Sequence, residues 1–163
     1  MKKLILIRHA KSCWNTIAND FSRPISCKGA IDANLVSAKL FDYLPKKFIV
    51  WSSSAKRAKE TAKIFCHNMD INLDCILSKE SLYTFELQKL EKEIKKCSND
   101  YDALIVFGHN EALTTFVNKF GSKFYEKVPT SGVVIINFEE DNWDSITRGI
   151  TETKIFPKDL KKK

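Results

Sequence analysis

The residues best suited to chemistry in this chain are His9 and His109, two of its three histidines, together with Arg8 and Arg57. His9 closes the stretch Leu4-Ile5-Leu6-Ile7-Arg8-His9, and His109 closes Ala103-Leu104-Ile105-Val106-Phe107-Gly108-His109. Continuous apolar runs of this length suit strands buried on both faces. Ligands of open α/β sheets bind outside the carboxyl ends of the strands, so both histidines are expected on one rim. Arg57 follows a further apolar run, Phe48-Ile49-Val50-Trp51, in the first turn of the next helix, which places it on the same rim. A cation there opposes the helix dipole. Either an anion lies between them or the arginine faces solvent.

Two histidines and two arginines on one rim make a pocket of concentrated positive charge, whereas a lone histidine would read as structural. The guanidinium fork matches phosphate oxygens, and phosphoryl transfer is catalysed chiefly by positioning and by neutralising oxygen charge. A neutral imidazole nitrogen is a competent nucleophile, and nearby guanidinium groups disfavour its protonation. No Asp/Glu cluster with metal-ligand spacing accompanies them, so no metal or other cofactor is expected. Cys66-His67 could ligate a metal or simply pack at a helix end.

These residues need a scaffold. Ser26 is placed to cap a helix of about 28–43, with Ala30, Ala33, Val36, Leu40 and Leu44 at helical spacing and Pro45 closing it. The strand at 48–51 ends in Ser52-Ser53-Ser54, whose hydroxyls can cap a helix of 55–67 with Ala55, Ala58, Ala62, Phe65 and Cys66 inward. A short strand is expected within 70–77 and a loop over 78–83. Leu87, Leu90, Ile94 and Cys97 then mark an amphipathic helix of about 85–96. The strand at 103–107 leads into a helix carrying Ala112, Leu113, Phe116, Val117 and Phe120. A strand at 133–138 and the run 143–147, either side of the acidic turn 139–142, predict an antiparallel hairpin. The fold class is α/β: a mainly parallel central sheet, helices on both faces, and an antiparallel C-terminal edge.

The chain of 163 residues is 44% hydrophobic, enough for the core of a single domain spanning 1–163. No stretch reaches the roughly 18 apolar residues of a membrane span and no signal-peptide pattern appears, so a cytoplasmic location is expected. Five cysteines without a CxxC pair indicate free thiols. The net charge of +7 favours anionic partners, but no aromatic-interleaved basic stripe points to nucleic acid. GxGxxG and GxxxxGK[ST] are absent, which argues against dinucleotide and P-loop chemistry.

Arg8-His9-Ala10-Lys11-Ser12-Cys13-Trp14-Asn15 resembles the RHG signature of the histidine phosphatase superfamily, the phosphoglycerate-mutase-like fold. Ser54-Ala55-Lys56-Arg57-Ala58-Lys59-Glu60-Thr61-Ala62 resembles its second motif and Gly108-His109-Asn110 its third. The short length, the segment from Asp20 to Ser26 with Gly29, and the ending Phe156-Pro157-Lys158-Asp159-Leu160 are most similar to SixA-type phosphohistidine phosphatases. The resemblance implies that His9 attacks phosphorus and is transiently phosphorylated. It implies that Arg8, Arg57 and His109 hold the phosphoryl oxygens, with Asn15 and Asn110 as further binding residues. Glu80 stands where phosphomonoesterases of the superfamily keep a carboxylic acid, and a surface role is equally open to it. A P–N substrate departs as imidazole and needs less help than an alkoxide.

Two positions depart from the pattern. Ala10 replaces glycine, which predicts a backbone with negative φ there. Lys11 replaces an acidic residue frequent in the mutase-like branch, which makes a mutase less fitting. The expected partner is a phosphohistidine-containing phosphotransfer protein or a small phosphorylated substrate, with no nucleic acid or membrane involved and the chain acting as a monomer. Three readings follow: phosphohistidine phosphatase, phosphatase of small metabolites, and a phosphate- or phosphoprotein-binding module without turnover.

Overall fold

The computed structural model describes residues 1–14 and 19–161. Among them the apolar runs form one mixed sheet of six strands: β1 (Lys2–Arg8), β2 (Phe48–Ser53), β3 (Ile76–Lys79), β4 (Ala103–Gly108), β5 (Val133–Phe138) and β6 (Ile150–Ile155). The strand order is β3-β2-β4-β1-β5-β6. The β1/β4, β4/β2 and β2/β3 pairs are parallel, whereas β5 runs antiparallel to both β1 and β6. This is the expected α/β architecture. In the β1/β4 register Arg8 lies opposite Gly108, so His9 and His109 emerge side by side one residue further on.

Alternation along the strands divides the core between two faces. Leu4, Leu6, Leu104, Val106, Val134 and Ile136 pack under α3 (Leu87–Ile94) and α4 (Ala112–Phe120). Ile5, Ile7, Ile105, Phe107, Val133 and Ile135 pack under α1 (Cys27–Leu40) and α2 (Lys56–Asn68). Burial on both sides explains why β1 and β4 read as unbroken apolar runs.

Ser26 caps α1 as expected, its hydroxyl accepting from the Gly29 N–H at 3.0 Å. The helix tightens into a 3-10 turn over Phe41–Tyr43. Gly29 is required by close approach: a Cβ there would lie 2.2 Å from the Lys11 carbonyl oxygen. At Ala10 the φ is negative, as expected; among the described residues the non-glycine positions with positive φ are Asp70 and Ser131.

Three local expectations are corrected. Ser52, Ser53 and Ser54 do not cap α2, whose N-cap is Ala55 with no side-chain bond; the first two belong to β2 itself. Ser53 turns inward instead, accepting from the Ala55 N–H at 3.2 Å and pairing with His109. The third strand begins only at Ile76, because Asn72 caps a 3-10 turn over Leu73–Cys75, and a second such turn, Glu80–Leu82, replaces part of the predicted loop. The second arm of the C-terminal hairpin is β6, not 143–147. Trp143 leaves the sheet to fill the core, fully buried, with its ring N–H donating to the Tyr101 carbonyl at 3.0 Å. A large aromatic gains more from that cavity than from a half-exposed edge strand.

Candidate active site

The site stands on the carboxyl ends of β1, β2 and β4. His9 is fixed first by its backbone: its N–H donates to the Gly108 carbonyl at 3.1 Å, and the Ser131 N–H is shared between the Arg8 and His9 carbonyls, each at 3.1 Å. The Nδ1–H of His9 donates to the Ala10 carbonyl at 2.7 Å, which leaves Nε2 as the nitrogen with a lone pair. That nitrogen lies 3.4 Å from the Nε of Arg57. Thr61 ties helix to loop, accepting from the Ala10 N–H at 2.8 Å and donating to the Arg57 carbonyl at 2.7 Å.

His109 faces His9 with ring centres 5.2 Å apart. Its Nδ1 receives Arg57 Nη2 at 3.3 Å, so its Nε2–H donates to the Ser53 hydroxyl at 2.7 Å. Tyr83 and Phe85 present ring edges to it at 5.4 and 5.5 Å. Burial, reinforced by the surrounding guanidinium groups, pushes the His9 imidazole down to about 3, against the opposing pull of the Ala10 carbonyl. Burial, with His9 and Arg57 close by, pushes His109 down to about 2. Both rings are neutral at physiological pH, the form in which Nε2 of His9 is nucleophilic.

Arg57 is buried, which resolves its two readings in favour of the pocket. Its Nη1 donates to the Asp20 carbonyl at 2.6 Å and its Nη2 to the Asp20 carboxylate at 3.1 Å. Arg8 donates from Nη1 to the Val128 carbonyl at 3.0 Å, while its buried Nε has no partner among the described residues.

Two participants escaped the sequence reading. Arg23 is buried at 6% exposure, lies 3.6 Å from the centre of the Trp14 ring, and keeps Nε and Nη1 without a partner among the described residues. Its Nη2 donates to Asp20 at 3.0 Å. Asp20 joins Arg57, Arg23 and the Tyr83 hydroxyl in one cluster. Partial burial favours its protonated form, but the hydrogen bonds from Tyr83, Arg23 and Arg57 prevail and hold the carboxyl well below the usual range. In the sequence Arg23 stands within the segment from Asp20 to Ser26 that carries the resemblance to the SixA type, but nothing there marks it as a residue of the pocket.

The cavity over His9 has a volume of about 560 Å³. Its lining brings five cationic side chains, Arg8, Arg23, Arg57, Lys11 and Lys127, against one carboxylate, Asp20. Buried guanidinium N–H groups left unpaired in such a place are suited to a multiply charged oxyanion. Asn110 lines the cavity, but its amide is committed to the scaffold: it donates to the Val128 carbonyl at 3.1 Å and accepts from the Thr114 hydroxyl at 3.0 Å. Glu80 is exposed and stands outside the cavity lining, so the expected acid is not brought to His9. Asn15 lies outside the described residues.

Among the described residues no group of three or more His, Cys, Asp or Glu could hold a metal ion, and no helix is long and apolar enough to cross a membrane. The five cysteines are free. Cys66 packs in the core and burial pushes its thiol up to about 12, whereas His67 is exposed, so this pair reads as helix-end packing.

Comparison with known proteins gives a consistent picture. The family model for the histidine phosphatase superfamily (branch 1) matches residues 4–103. An uncharacterized chloroplastic protein of Arabidopsis thaliana is 33% identical over 121 residues, covering 68% of this chain and 55% of its own length. The chain thus spans about half of that relative. An uncharacterized protein of Mycobacterium tuberculosis is 26% identical over 153 residues, covering 88% of this chain and 93% of its own. Among solved structures, the protein histidine phosphatase SixA complexed with tungstate superposes with a TM-score of 0.81 over 98% of this chain and 99% of that one, at 16% identity. At that identity the likeness establishes the fold.

Proposed function

This chain belongs to the histidine phosphatase superfamily, a family of phosphatases and mutases, and we propose that it removes phosphate from phosphohistidine on another protein through a phospho-His9 intermediate. In the first step Nε2 of His9 forms a bond to phosphorus while the bond from phosphorus to the substrate imidazole breaks. The electron pair of that bond leaves with the imidazole, which departs neutral when its other nitrogen carries a proton. In the second step water attacks phosphorus and the P–Nε2 bond breaks, its electron pair returning to Nε2; one water proton stays on the oxygen that joins the phosphate, the other passes to solvent, and His9 returns to its neutral form. Arg8, Arg57 and Arg23 neutralise the phosphoryl oxygens throughout.

The observation that carries this reading is the state of the carboxylate. An ester releases an alkoxide and calls for a protonated acid close to the leaving oxygen. Asp20, the carboxylate lining the cavity, is held ionised by Arg23, Arg57 and Tyr83, and Glu80 stands outside. A site with a bare nucleophile, abundant positive charge and, among the described residues, no protonated carboxyl suits a P–N bond.

The test is phosphate release from a phosphohistidine-bearing phosphotransfer domain, run beside an aryl phosphomonoester, with His9→Ala as control. The wild type is expected to strip the protein label and to turn over the ester poorly, with Glu80→Gln indistinguishable from wild type. Rapid ester hydrolysis with the protein label untouched would make this a metabolite phosphatase. Phosphate binding without any labelled His9 would make it a binding module.

A further inference from the structure

Next to the catalytic cavity lies a second cleft of about 350 Å³, and the two share Lys11, Pro129 and Thr130 as a common wall. Its far side is built from the first turns of α1, which supply Lys28 and Asp32, and from the C-terminal helix α5 (Pro157–Leu160) with the residue after it, which supply Lys158 and Lys161. Lys161 pairs with Asp32 at 2.6 Å and so cancels the carboxylate of the cleft. Lys11, Lys28 and Lys158 are exposed and have no ion-pair partner among the described residues, and the same holds for Lys127 in the lining of the first cavity. Around α3, Lys79, Lys89, Lys95, Lys96 and Lys119 are each paired with a glutamate, whereas Lys92 has no ion-pair partner among the described residues.

We propose that this second cleft seats an acidic protein surface flanking the phosphorylated histidine, so that the phosphohistidine enters the His9 cavity while neighbouring carboxylates meet Lys11, Lys28 and Lys158. The inference rests on the phosphohistidine reading. Exposed ammonium groups on long stems form weak, screened pairs, which suits an extended complementary surface better than one tightly held ion. No buried donor aims into the second cleft, as Arg23 does into the first. No aromatic side chain lines it, so it lacks the platform on which nucleic-acid bases stack. Charges at such a rim act mainly on encounter rate and partner choice.

The experiment compares wild type, K28E/K158E and the charge-matched control K63E/K92E on two substrates, a phosphohistidine-bearing phosphotransfer domain of negative net charge and free phosphohistidine. Neither altered pair touches the His9 cavity. For K28E/K158E, kcat/KM on the protein should fall roughly tenfold at low salt and by less than about threefold near 0.5 M salt, where screening removes the attraction. Turnover of free phosphohistidine should stay at the wild-type value, and the control should match wild type on both. Unchanged protein turnover in K28E/K158E would overturn the inference, as would equal losses on both substrates or an equal loss in K63E/K92E. Unchanged protein turnover with lost affinity for single-stranded RNA would assign the cleft to nucleic acid. If wild type releases phosphate from neither substrate, the phosphohistidine reading itself fails and this inference falls with it.

Discussion

Replacing Arg57 with lysine separates charge from geometry at this site. The guanidinium reaches Nε2 of His9 at 3.4 Å, Nδ1 of His109 at 3.3 Å, the Asp20 carboxylate at 3.1 Å and the Asp20 carbonyl at 2.6 Å. One planar fork therefore spans both histidines and the acidic cluster. Lysine keeps the positive charge but offers a single ammonium on a flexible stem, which cannot reach both rings and Asp20 together. In the transition state the N–H groups now directed at the two histidines are those free to turn to the phosphoryl oxygens. Losing two hydrogen bonds to charged oxygens, at about 1.5–3 kcal/mol each, amounts to about 3–6 kcal/mol, or roughly 10²–10⁴ in rate. The assay is single-turnover phosphate transfer to His9, with thermal unfolding of both proteins to confirm that the variant folds. Arg57→Lys within about threefold of wild type would show that positive charge alone suffices, and the fork-based account of the site would be wrong.

Two further predictions follow from burial and close approach. His9 and His109 are held near 3 and 2, so between those values and the ordinary 6.5 the unfolded chain binds more protons than the folded one. Stability is then complete above pH ~6.5 and falls on acidification, by up to about 1.4 kcal/mol per pH unit for each histidine. Asp20, with its lowered carboxyl, adds a loss of the same sign below its ordinary range near 3.8. Urea unfolding from pH 7.5 downward should give a shallower loss for His109→Gln than for wild type, and parallel curves would contradict the assignment. Gly29→Ala should destabilise by about 1–3 kcal/mol through its collision with the Lys11 carbonyl. Because Lys11 is two residues from His9, it should also lower kcat; a thermal midpoint and kcat both equal to wild type would show that the loop yields freely.

Much of this was legible in the sequence because its determinants are local. Leu4-Ile5-Leu6-Ile7 and Ala103-Leu104-Ile105-Val106-Phe107 announce buried strands by composition, and a histidine following such a strand must stand at the sheet's carboxyl edge. Ser26 caps α1 through a neighbour three residues away, and Arg57 reaches the rim because a helix N-terminus after a parallel strand has nowhere else to start.

What only the tertiary structure decided depends on partners distant in the chain. Ser53 looks like a helix cap until the β2/β4 pairing brings His109 within hydrogen-bonding reach. Trp143 looks like part of a strand until Tyr101 and the core beneath β5 claim it, which moves the hairpin arm to β6. Asp20 and Arg23 lie in the segment that resembles the SixA type, but nothing local marks either as a site residue, and they join the pocket through the hydrogen bonds that tie Asp20 to Arg57 and Arg23. Glu80 illustrates the converse: its place in the chain is right for an acid, but the 3-10 turn leaves it facing solvent. The sequence by itself determined β1, β2, β4 and β5, the start of α1 and the two histidines, because backbone periodicity and capping act within a few residues. Which carboxylate meets which guanidinium was settled by tertiary packing, since electrostatic neighbours are chosen by distance in space and not by separation along the chain.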